Sequence, residues 1–207
     1  MHSLFPSHGL YAITDGPRTD LSATVAQALA GGARVLQYRD KTADAARRHA
    51  EAAALEQLCD THTVPLIVND DVALAVAVRA AGVHLGRDDD DVAAARAALG
   101  AGAIIGVSCY DSLERARAAA AAGADYVAFG AFFPSPTKPQ AVRASLDLLR
   151  QSATLGVPRV AIGGITPDNA PSLVEAGADF LAVISAVFAA PDVCAAAQRF
   201  ARLYPTD

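Results

Sequence analysis

The sequence contains few cysteines, no excess of basic residues and no long apolar run. Its three cysteines, Cys59, Cys109 and Cys194, lie far apart and form neither a CxxC pair nor a histidine-paired metal spacing. We therefore expect buried, unpaired thiols in a reducing compartment. The formal net charge is −5, whereas general nucleic-acid binders usually carry a basic excess. This argues against a nucleic acid as partner, although it is compatible with a local basic pocket for a small anion.

Segments for secretion or membrane insertion are also lacking. The first residues, MHSLFPSHG, show no basic segment followed by an apolar core, so the sequence predicts no signal peptide. The longest apolar run near the end, FLAVISAVFAA, is shorter than the ~20 residues that a membrane span requires. No linker divides the 207 residues. The sequence therefore predicts one soluble, cytoplasmic domain over residues 1–207, with no membrane partner.

Short aliphatic runs alternate along the chain with helical segments rich in Ala, Leu and Arg. Such alternation indicates parallel βαβ units, and eight of them predict a single α/β domain folded as a (β/α)8 TIM barrel. A doubly wound sheet is the alternative, but it would want a Gly-rich dinucleotide turn after an early strand, and ITDGPRTD is not one. The predicted strands are Gly9–Asp15, Val35–Asp40, Pro65–Asp70, Gly82–Gly86, Ile104–Cys109, Tyr126–Gly130, Arg159–Gly164 and Phe180–Ser185.

A weak internal repeat supports the same fold. AGGARVL, RAAGVHL, AAGADYVAFG and EAGADFLAVIS each place a glycine between a helical segment and the next strand. Glycine at that position suits the left-handed conformation that ends a helix. The repeat therefore favours serial duplication of a strand–helix unit.

The segment LQYRDK, residues 36–41, has unusual side chains for a buried strand. Because successive side chains alternate between the two faces, Gln37, Arg39 and Lys41 share one face and Leu36 and Tyr38 share the other. We expect Leu36 and Tyr38 to face the surrounding helices, and the amide and the two cations to line the mouth of the barrel. A solvated edge face is the alternative interpretation.

Other polar residues fall at the carboxyl ends of the remaining strands, which converge at one mouth in a barrel. Singly, each has a structural interpretation: Asp70 could cap the next helix, RDDDD could be an acidic first turn, and His84 could be a satisfied core histidine. All of these would have to hold together at one end of one barrel, which favours a common pocket. The residues concerned are Asn69, Asp70, His84, Asp89, Ser108, Gly163, Gly164 and Ser185.

Two loops complete the predicted pocket. FFPSPTKPQA, after the sixth strand, carries hydroxyls and a cation typical of an anion-binding lid, with a plain surface loop as the alternative. AIGGITPDNA, after the seventh, predicts a diglycine turn and a helix with Pro167 as its first residue; with Ser185 it matches a phosphate site of the last two loops. Asp70 and Asp89, close to Arg and Lys, suit a magnesium diphosphate. An enzyme that joins a diphosphate substrate to a monophosphate substrate would need this layout.

In order and spacing, the motifs QYRDK, VNDD, GVHLGRDD, GVSCY, FGAFFPSPTK, AIGGI and VISA resemble those of the thiamine phosphate synthase family, along nearly the whole chain. The resemblance implies a transferase that makes thiamine phosphate and pyrophosphate from hydroxymethylpyrimidine diphosphate and thiazole phosphate, or the carboxylated form of the latter. The implied chemistry is dissociative: diphosphate leaves first, and the thiazole nitrogen captures a pyrimidine-methyl cation. One Mg²⁺ per subunit and small-molecule substrates are implied as well, and a homodimer is compatible with the resemblance.

The resemblance also implies a role for each matching residue. Asp70 and Asp89 would bind Mg²⁺, since Asp89 fits the family spacing from His84 better than Asp88 does. The thiazole phosphate would be bound by Ser135, Pro136, Thr137, Gly163, Gly164, Ile184 and Ser185. The pyrimidine diphosphate would be bound by Gln37, Tyr38, Arg39, Asp40, Lys41, Asn69, His84, Ser108 and Lys138, among which Arg39, Lys41, Ser108 and Lys138 would be catalytic.

Other functions stay open at this point. A thiazole tautomerase of the same superfamily would not need the full diphosphate set, and a sugar-phosphate isomerase would require a clear acid/base pair. A non-catalytic thiamine phosphate sensor would differ only in activity, because every position that the resemblance marks as catalytic is filled. No Ser–His–Asp or Cys–His arrangement is recognisable, so no side-chain nucleophile is predicted.

Overall fold

A closed barrel of eight parallel strands forms the centre of the molecule, in a computed structural model that describes residues 5–86, 91–134 and 143–205. Each strand pairs with its neighbours in sequence, and the last pairs with the first. This confirms the predicted (β/α)8 fold. The strands are β1 (Gly9–Ile13), β2 (Ala33–Tyr38), β3 (Leu66–Asn69), β4 (Gly82–Leu85), β5 (Ile104–Tyr110), β6 (Tyr126–Gly130), β7 (Arg159–Ile162) and β8 (Phe180–Val183).

Helices surround the barrel, and acidic or hydroxyl side chains begin several of them. Asp44, Asp71, Asp91, Ser112 and Asp192 each accept a backbone N–H from the first turn that follows. The described helices are α1 (Leu21–Ala30), α2 (Ala45–His62), α3 (Val72–Val78), α4 (Val92–Leu99), α5 (Leu113–Ala121), α6 (Leu146–Gln151), α7 (Ala170–Glu175), α8 (Ser185–Phe188) and α9 (Val193–Ala201), with a 3₁₀ turn at Ser152–Leu155.

Alternation along the strands divides the core into two layers. Leu36 and Tyr38 of β2 pack in the outer layer between strands and helices, whereas Val35 lies inside the barrel. Phe5 closes the amino-terminal end of the barrel, with its ring stacked 4.7 Å from that of Tyr126 and tilted against that of Phe180, 4.8 Å away. The barrel interior is therefore a packed core, and only its carboxyl end remains for a site.

The internal repeat has a structural basis at the amino-terminal end of the barrel. The Asp125 carboxylate accepts the Ile105 N–H at 2.7 Å, and the Asp179 carboxylate accepts the Arg159 N–H at 2.8 Å. Both aspartates follow the Gly-Ala of the repeat and reach back to the start of a neighbouring strand. Their glycines, Gly123 and Gly177, are left-handed, as predicted.

One copy of the repeat departs from the prediction. In RAAGVHL the left-handed residue that ends α3 is Arg79, with φ of 59°, and Gly82 already belongs to β4. A Cβ at Gly82 would lie 1.8 Å from the Ile104 carbonyl oxygen. Glycine is needed here for the close approach of two strands rather than for ending a helix.

The cysteines are unpaired, as predicted; Cys59 and Cys109 are buried, but the prediction of burial is wrong for Cys194, which is only partly buried. Burial raises the pKa of both thiols to about 12, so they stay protonated at neutral pH. No helix in the described part of the chain combines the length and the apolar character that a membrane span requires.

Candidate active site

The β2 segment divides its side chains as the alternation predicts. Gln37 is 3% exposed and donates from its amide nitrogen to the Tyr11 hydroxyl, at 2.8 Å, inside the barrel. Tyr38 points the other way, and its hydroxyl donates to Glu51 of α2 at 2.7 Å. The structure therefore places the Tyr38 side chain in the helix layer, away from the mouth where a substrate would bind.

Arg39 follows the end of β2 and is held there by Thr14. The buried Thr14 hydroxyl accepts the Arg39 N–H at 2.8 Å and donates to the Arg39 carbonyl at 3.2 Å. With these two bonds the Thr14 side chain continues the β1–β2 pairing just beyond the ends of both strands. The Arg39 backbone is thus fixed although it lies in a loop. Thr14 was not predicted, since a lone threonine after a strand carries no distinctive sequence signal.

Two arginines of α2 neutralise carboxylates that flank the site. Arg47 lies 2.7 Å from the fully buried Asp40 carboxylate, and Arg48 lies 2.8 Å from that of Asp71. The Arg47–Asp40 contact is an ion pair without hydrogen-bond geometry, because the paired oxygen, Oδ2, accepts no hydrogen bond. Burial opposes ionisation of Asp40, but hydrogen bonds from Thr42 and the charge of Arg47 outweigh it and lower the pKa.

Asp70 lies beside Lys41, with the ammonium nitrogen 3.4 Å from the nearer carboxylate oxygen. Its backbone is left-handed, with φ of 64°, and its N–H donates to the His84 carbonyl at 2.9 Å. The helix cap that Asp70 could have supplied is supplied by Asp71, which accepts the Leu74 N–H at 2.9 Å. Asp70 is therefore held at the mouth in a conformation that L-residues rarely adopt.

The oxygen-rich cleft around Asp70 fits a hard divalent cation. The cleft is lined by Asp40, Lys41, Thr42, Arg48, Asn69, Asp70 and Asp71. Asp40 and Asp71 pair with Arg47 and Arg48, whereas Asp70 pairs at 3.4 Å with Lys41, the most exposed of these three cations, so Asp70 is the carboxylate best placed for a metal ion. No cluster of three or more metal-ligating side chains occurs in residues 5–86, 91–134 and 143–205. Mg²⁺ commonly takes only one or two carboxylates, with substrate oxygens and water completing its shell.

A buried chain of hydrogen bonds crosses the barrel interior below the mouth. The Tyr11 and Tyr126 hydroxyls lie 2.7 Å apart, and the Tyr126 hydroxyl lies 2.9 Å from His84 Nδ1. His84 Nε2 lies 2.8 Å from the Ser108 hydroxyl. With Gln37 at its other end, the chain joins residues of β1, β2, β4, β5 and β6. His84 thus satisfies the core-histidine interpretation and also contacts a residue of the mouth.

Tyr11 and Tyr126 were not predicted as site residues. A detectable signal existed, since both occupy inward positions of aliphatic strands, where a buried hydroxyl needs a partner. Burial raises the pKa of both phenols, so both hydroxyls stay protonated and act as donors. Glycine at position 106 leaves space for the Tyr126 ring, since a Cβ there would lie 1.9 Å from Tyr126 Cζ.

Ser108 is anchored through its backbone by α5. The Arg115 guanidinium donates to the Ser108 carbonyl at 2.7 Å and to the Gly86 carbonyl at 2.8 Å. This side chain joins the ends of β4 and β5 from outside the barrel. Ser108 is consequently fixed at both its carbonyl and its hydroxyl.

The diglycine turn follows β7 as predicted. Gly163 and Gly164 are left-handed, with φ of 103° and 64°, and a Cβ on Gly164 would lie 2.4 Å from the Pro134 carbonyl oxygen. Phe133 and Pro134 therefore lie directly against this turn, and the Phe133 N–H donates to the Gly163 carbonyl. Glycine is required at both positions by conformation and by space.

The prediction for Pro167 is wrong. Helix α7 begins at Ala170, and the proline in its first turn is Pro171. Pro167 belongs to a turn in which the Asn169 side chain accepts the Thr166 N–H at 2.9 Å. This hydrogen bond stabilises a separate turn before the helix. The sequence pattern alone cannot distinguish such a turn from the first turn of the helix itself.

The remaining predicted residues fall in two groups. Ile184 immediately precedes α8, and its carbonyl accepts the Val187 and Phe188 N–H groups, while Ser185 begins the helix with an exposed side chain. Five residues lie outside those that the structure describes: Asp89, Ser135, Pro136, Thr137 and Lys138.

A barrel mouth with cations, an amide, a hydroxyl and a carboxylate on neighbouring strands is the arrangement of a (β/α)8 enzyme that acts on an anionic small molecule. The family model described as thiamine monophosphate synthase matches residues 10–187. The chain belongs to this family, and it is an enzyme of the transferase class.

Individual relatives agree with the family match. The chain is 59% identical over 202 residues to the thiamine-phosphate synthase of Xanthomonas campestris pv. campestris (strain 8004), covering 97% of each chain. It is 60% identical over 195 residues to that of Chromobacterium violaceum, covering 93% of this chain and 94% of the relative. A solved structure of thiamine phosphate pyrophosphorylase from Pyrococcus furiosus has a TM-score of 0.86 at 36% identity, covering 97% of both chains.

Proposed function

We propose that this enzyme joins hydroxymethylpyrimidine diphosphate to thiazole phosphate, or to its carboxylated form, and releases pyrophosphate. The observation that carries the proposal is the adjacency of Arg39, Lys41 and Asp70 at the ends of β2 and β3. Lys41 and Asp70 lie 3.4 Å apart, and Arg39 is fixed by Thr14. Cations beside one cation-accepting carboxylate suit a diphosphate that arrives with a divalent metal.

The pyrimidine diphosphate would bind at this side of the mouth. Arg39 and Lys41 contribute positive charge, and the described residues form no side-chain hydrogen bond or ion pair with the Arg39 guanidinium that would compete for it. Asp70, with Asp89, would hold Mg²⁺, which when bound would neutralise charge on the leaving diphosphate. Asn69, Ser108 and Lys138 complete the proposed set.

The chain's own residues would act by stabilising charge and by positioning substrates. In a dissociative reaction negative charge develops on the leaving diphosphate, so Arg39 and Lys41 stabilise the transition state more than the ground state. Holding both substrates in one mouth supplies proximity. No covalent enzyme intermediate is required by this scheme.

The thiazole phosphate would bind on the opposite side of the mouth. Gly163 and Gly164 present backbone there in a left-handed turn, and Ile184 and Ser185 follow β8 next to it. Backbone amides and hydroxyls at the last two loops are the usual phosphate donors of this fold. Ser135, Pro136 and Thr137 belong to the same proposed subsite.

One assay separates this proposal from its rivals. Purified enzyme is mixed with both substrates and Mg²⁺, and pyrophosphate and thiamine phosphate are measured together. We expect stoichiometric formation of both products and loss of the reaction when EDTA replaces Mg²⁺. A tautomerase would convert the thiazole phosphate alone, a sensor would bind thiamine phosphate without turnover, and either result would refute the proposal.

A further inference from the structure

The hydrogen-bond chain from Gln37 to Ser108 has a direction that can be worked out by counting protons. The Gln37 amide nitrogen donates to the Tyr11 oxygen at 2.8 Å. The Tyr11 proton is then available for the Tyr126 oxygen, 2.7 Å away. The Tyr126 proton in turn points to His84 Nδ1 at 2.9 Å. Each hydroxyl has a single proton, so each bond determines the next.

The histidine tautomer follows from this order. Since Nδ1 accepts the Tyr126 proton, the neutral His84 ring carries its own proton on Nε2, which faces the Ser108 hydroxyl oxygen at 2.8 Å. In the opposite tautomer Tyr126 would donate back to Tyr11. The buried Tyr11 hydroxyl would then accept two hydrogen bonds, from Gln37 and Tyr126, and have no acceptor for its own proton, which is unfavourable for a buried donor.

We infer that Tyr11, Tyr126 and His84 are positioning residues that fix Ser108 as a hydrogen-bond donor toward the mouth. Ser108 accepts from His84 Nε2, so its own proton is directed elsewhere, to substrate. Because Nε2 carries the proton, His84 cannot accept a proton from Ser108 as a general base. This Ser–His pair therefore differs from that of an enzyme with a serine nucleophile. The inference rests on the proposed function, which already places Ser108 at the diphosphate, and adds the side chains that direct the Ser108 proton toward it.

Ring packing holds the hydrogen-bonded side chains in place. The Tyr126 ring packs against both Phe5 and His84, with centroids 4.7 Å and 5.6 Å away and interplanar angles of 1° and 23°. The glycine at position 106 leaves the space that the phenol occupies. A phenylalanine at position 126 would keep these ring contacts and lose only the hydroxyl. Tyr126→Phe is therefore a specific test of the hydrogen bond.

The first measurement is of the tautomer and needs no activity. Nitrogen-15 spectra of the histidine rings, assigned by comparison with His84→Gln, should show neutral His84 protonated on Nε2 in the unmodified protein. In Tyr126→Phe the preference should weaken or reverse. An Nδ1-protonated ring in the unmodified protein would overturn the inference, even if Tyr126→Phe did not fold.

The second measurement is kinetic and uses a double-mutant cycle. Ser108→Ala should lower kcat about 100-fold, as loss of one transition-state donor does, with little change in KM. Tyr126→Phe should lower kcat about tenfold, and Tyr11→Phe less, because Tyr126 can still donate to His84. The double variant Ser108→Ala/Tyr126→Phe should be no slower than Ser108→Ala alone. A fall of about 1000-fold, the product of the two effects, would refute action through Ser108.

Tyr204→Phe is the matched control. Tyr204 also has a partly buried hydroxyl, which donates to the Ala178 carbonyl at 3.1 Å outside the barrel interior. Its removal should leave kcat unchanged. If the unmodified enzyme forms no thiamine phosphate, the proposed function is refuted, while the tautomer measurement still tests the direction of the hydrogen bonds. If the enzyme is active but the kcat effects of Ser108→Ala and Tyr126→Phe multiply in the double variant, only the present inference is refuted.

Discussion

Asp70 and Asp71 are adjacent in the chain but have separate tasks. Asp71 accepts the Leu74 N–H and begins α3, whereas Asp70 turns into a left-handed conformation and faces Lys41. The VNDD motif therefore combines a helix cap and a mouth carboxylate in consecutive positions. The difference between them can be measured.

Asp70→Asn should lower kcat at least about 100-fold with little loss of stability, because the proposed Mg²⁺ site loses a negative charge while Asn tolerates the left-handed backbone. Asp71→Ala should do the reverse: it should cost about 1 kcal/mol of unfolding free energy and keep most of the activity. Steady-state kinetics and urea denaturation on both variants provide the comparison. Equal kinetic effects at the two positions would contradict the assignment.

Arg39→Ala should nearly abolish turnover while the fold is retained, because the diphosphate loses a fixed cation. Arg117→Ala is the control, since Arg117 is an exposed arginine of α5, on the outside of the barrel. The control should keep kcat and melt at the same temperature. Product formation under saturating Mg²⁺ measures the effect, and near-normal rates for Arg39→Ala would refute its role.

Gly106→Ala should destabilise the enzyme by about 3 kcal/mol or more, because the new methyl group would overlap the Tyr126 ring that lies 1.9 Å from its position. Gly102→Ala, on the same approach to β5, meets nothing within 4 Å and should change stability by less than about 0.5 kcal/mol. Thermal unfolding by circular dichroism distinguishes the two. A stable, fully active Gly106→Ala enzyme would contradict the packing described for Tyr126.

Glu56 of α2 should make stability fall as pH rises. Burial first, and the charge of Asp60 second, raise its pKa from 4.5 to about 7, and one of its carboxylate oxygens is buried without a hydrogen-bond partner. The folded state thus holds the proton more tightly than the unfolded state, so stability is lost between pH 4.5 and about 7 and then levels off.

Glu56→Gln should flatten that part of the pH profile and raise the melting temperature by a few degrees above pH 7. Glu175→Gln removes the same charge at an exposed position and should leave the profile unchanged. Melting temperatures at a series of pH values test both variants. A profile with the opposite slope, rising from acid to neutral pH at position 56, would refute the assignment.

The fold was predictable because its signals are local and repeated. Strand–helix alternation and the period of two in LQYRDK already place Gln37 inward and Tyr38 outward, as the structure does. Six of the eight predicted strands extended one or two residues too far at the carboxyl end, as Arg159–Gly164 against Arg159–Ile162 illustrates. Arg39, Lys41 and Asp70 follow their strands, whereas Asn69 and Ser108 still belong to β3 and β5.

What sequence could not supply is the pairing of side chains across the barrel. Tyr11 and Tyr126 are 115 positions apart, and neither has a local feature that identifies the other as its partner. Arg115, which ties Gly86 to Ser108, resembles any exposed residue of an amphipathic helix. Asp70 and Asp71 were likewise indistinguishable until backbone conformation separated them.

The stacked rings of Phe5, Tyr126 and His84 connect opposite ends of the barrel. Positions at the amino-terminal face of this fold usually govern stability, while those at the carboxyl face govern chemistry. Here Phe5, at the closed end, packs against the Tyr126 ring, and Tyr126 is hydrogen-bonded to His84, which is hydrogen-bonded to Ser108 at the mouth. Substitutions at Phe5 would therefore change turnover as well as stability. The amino-terminal and carboxyl faces of the barrel would then evolve under a shared constraint.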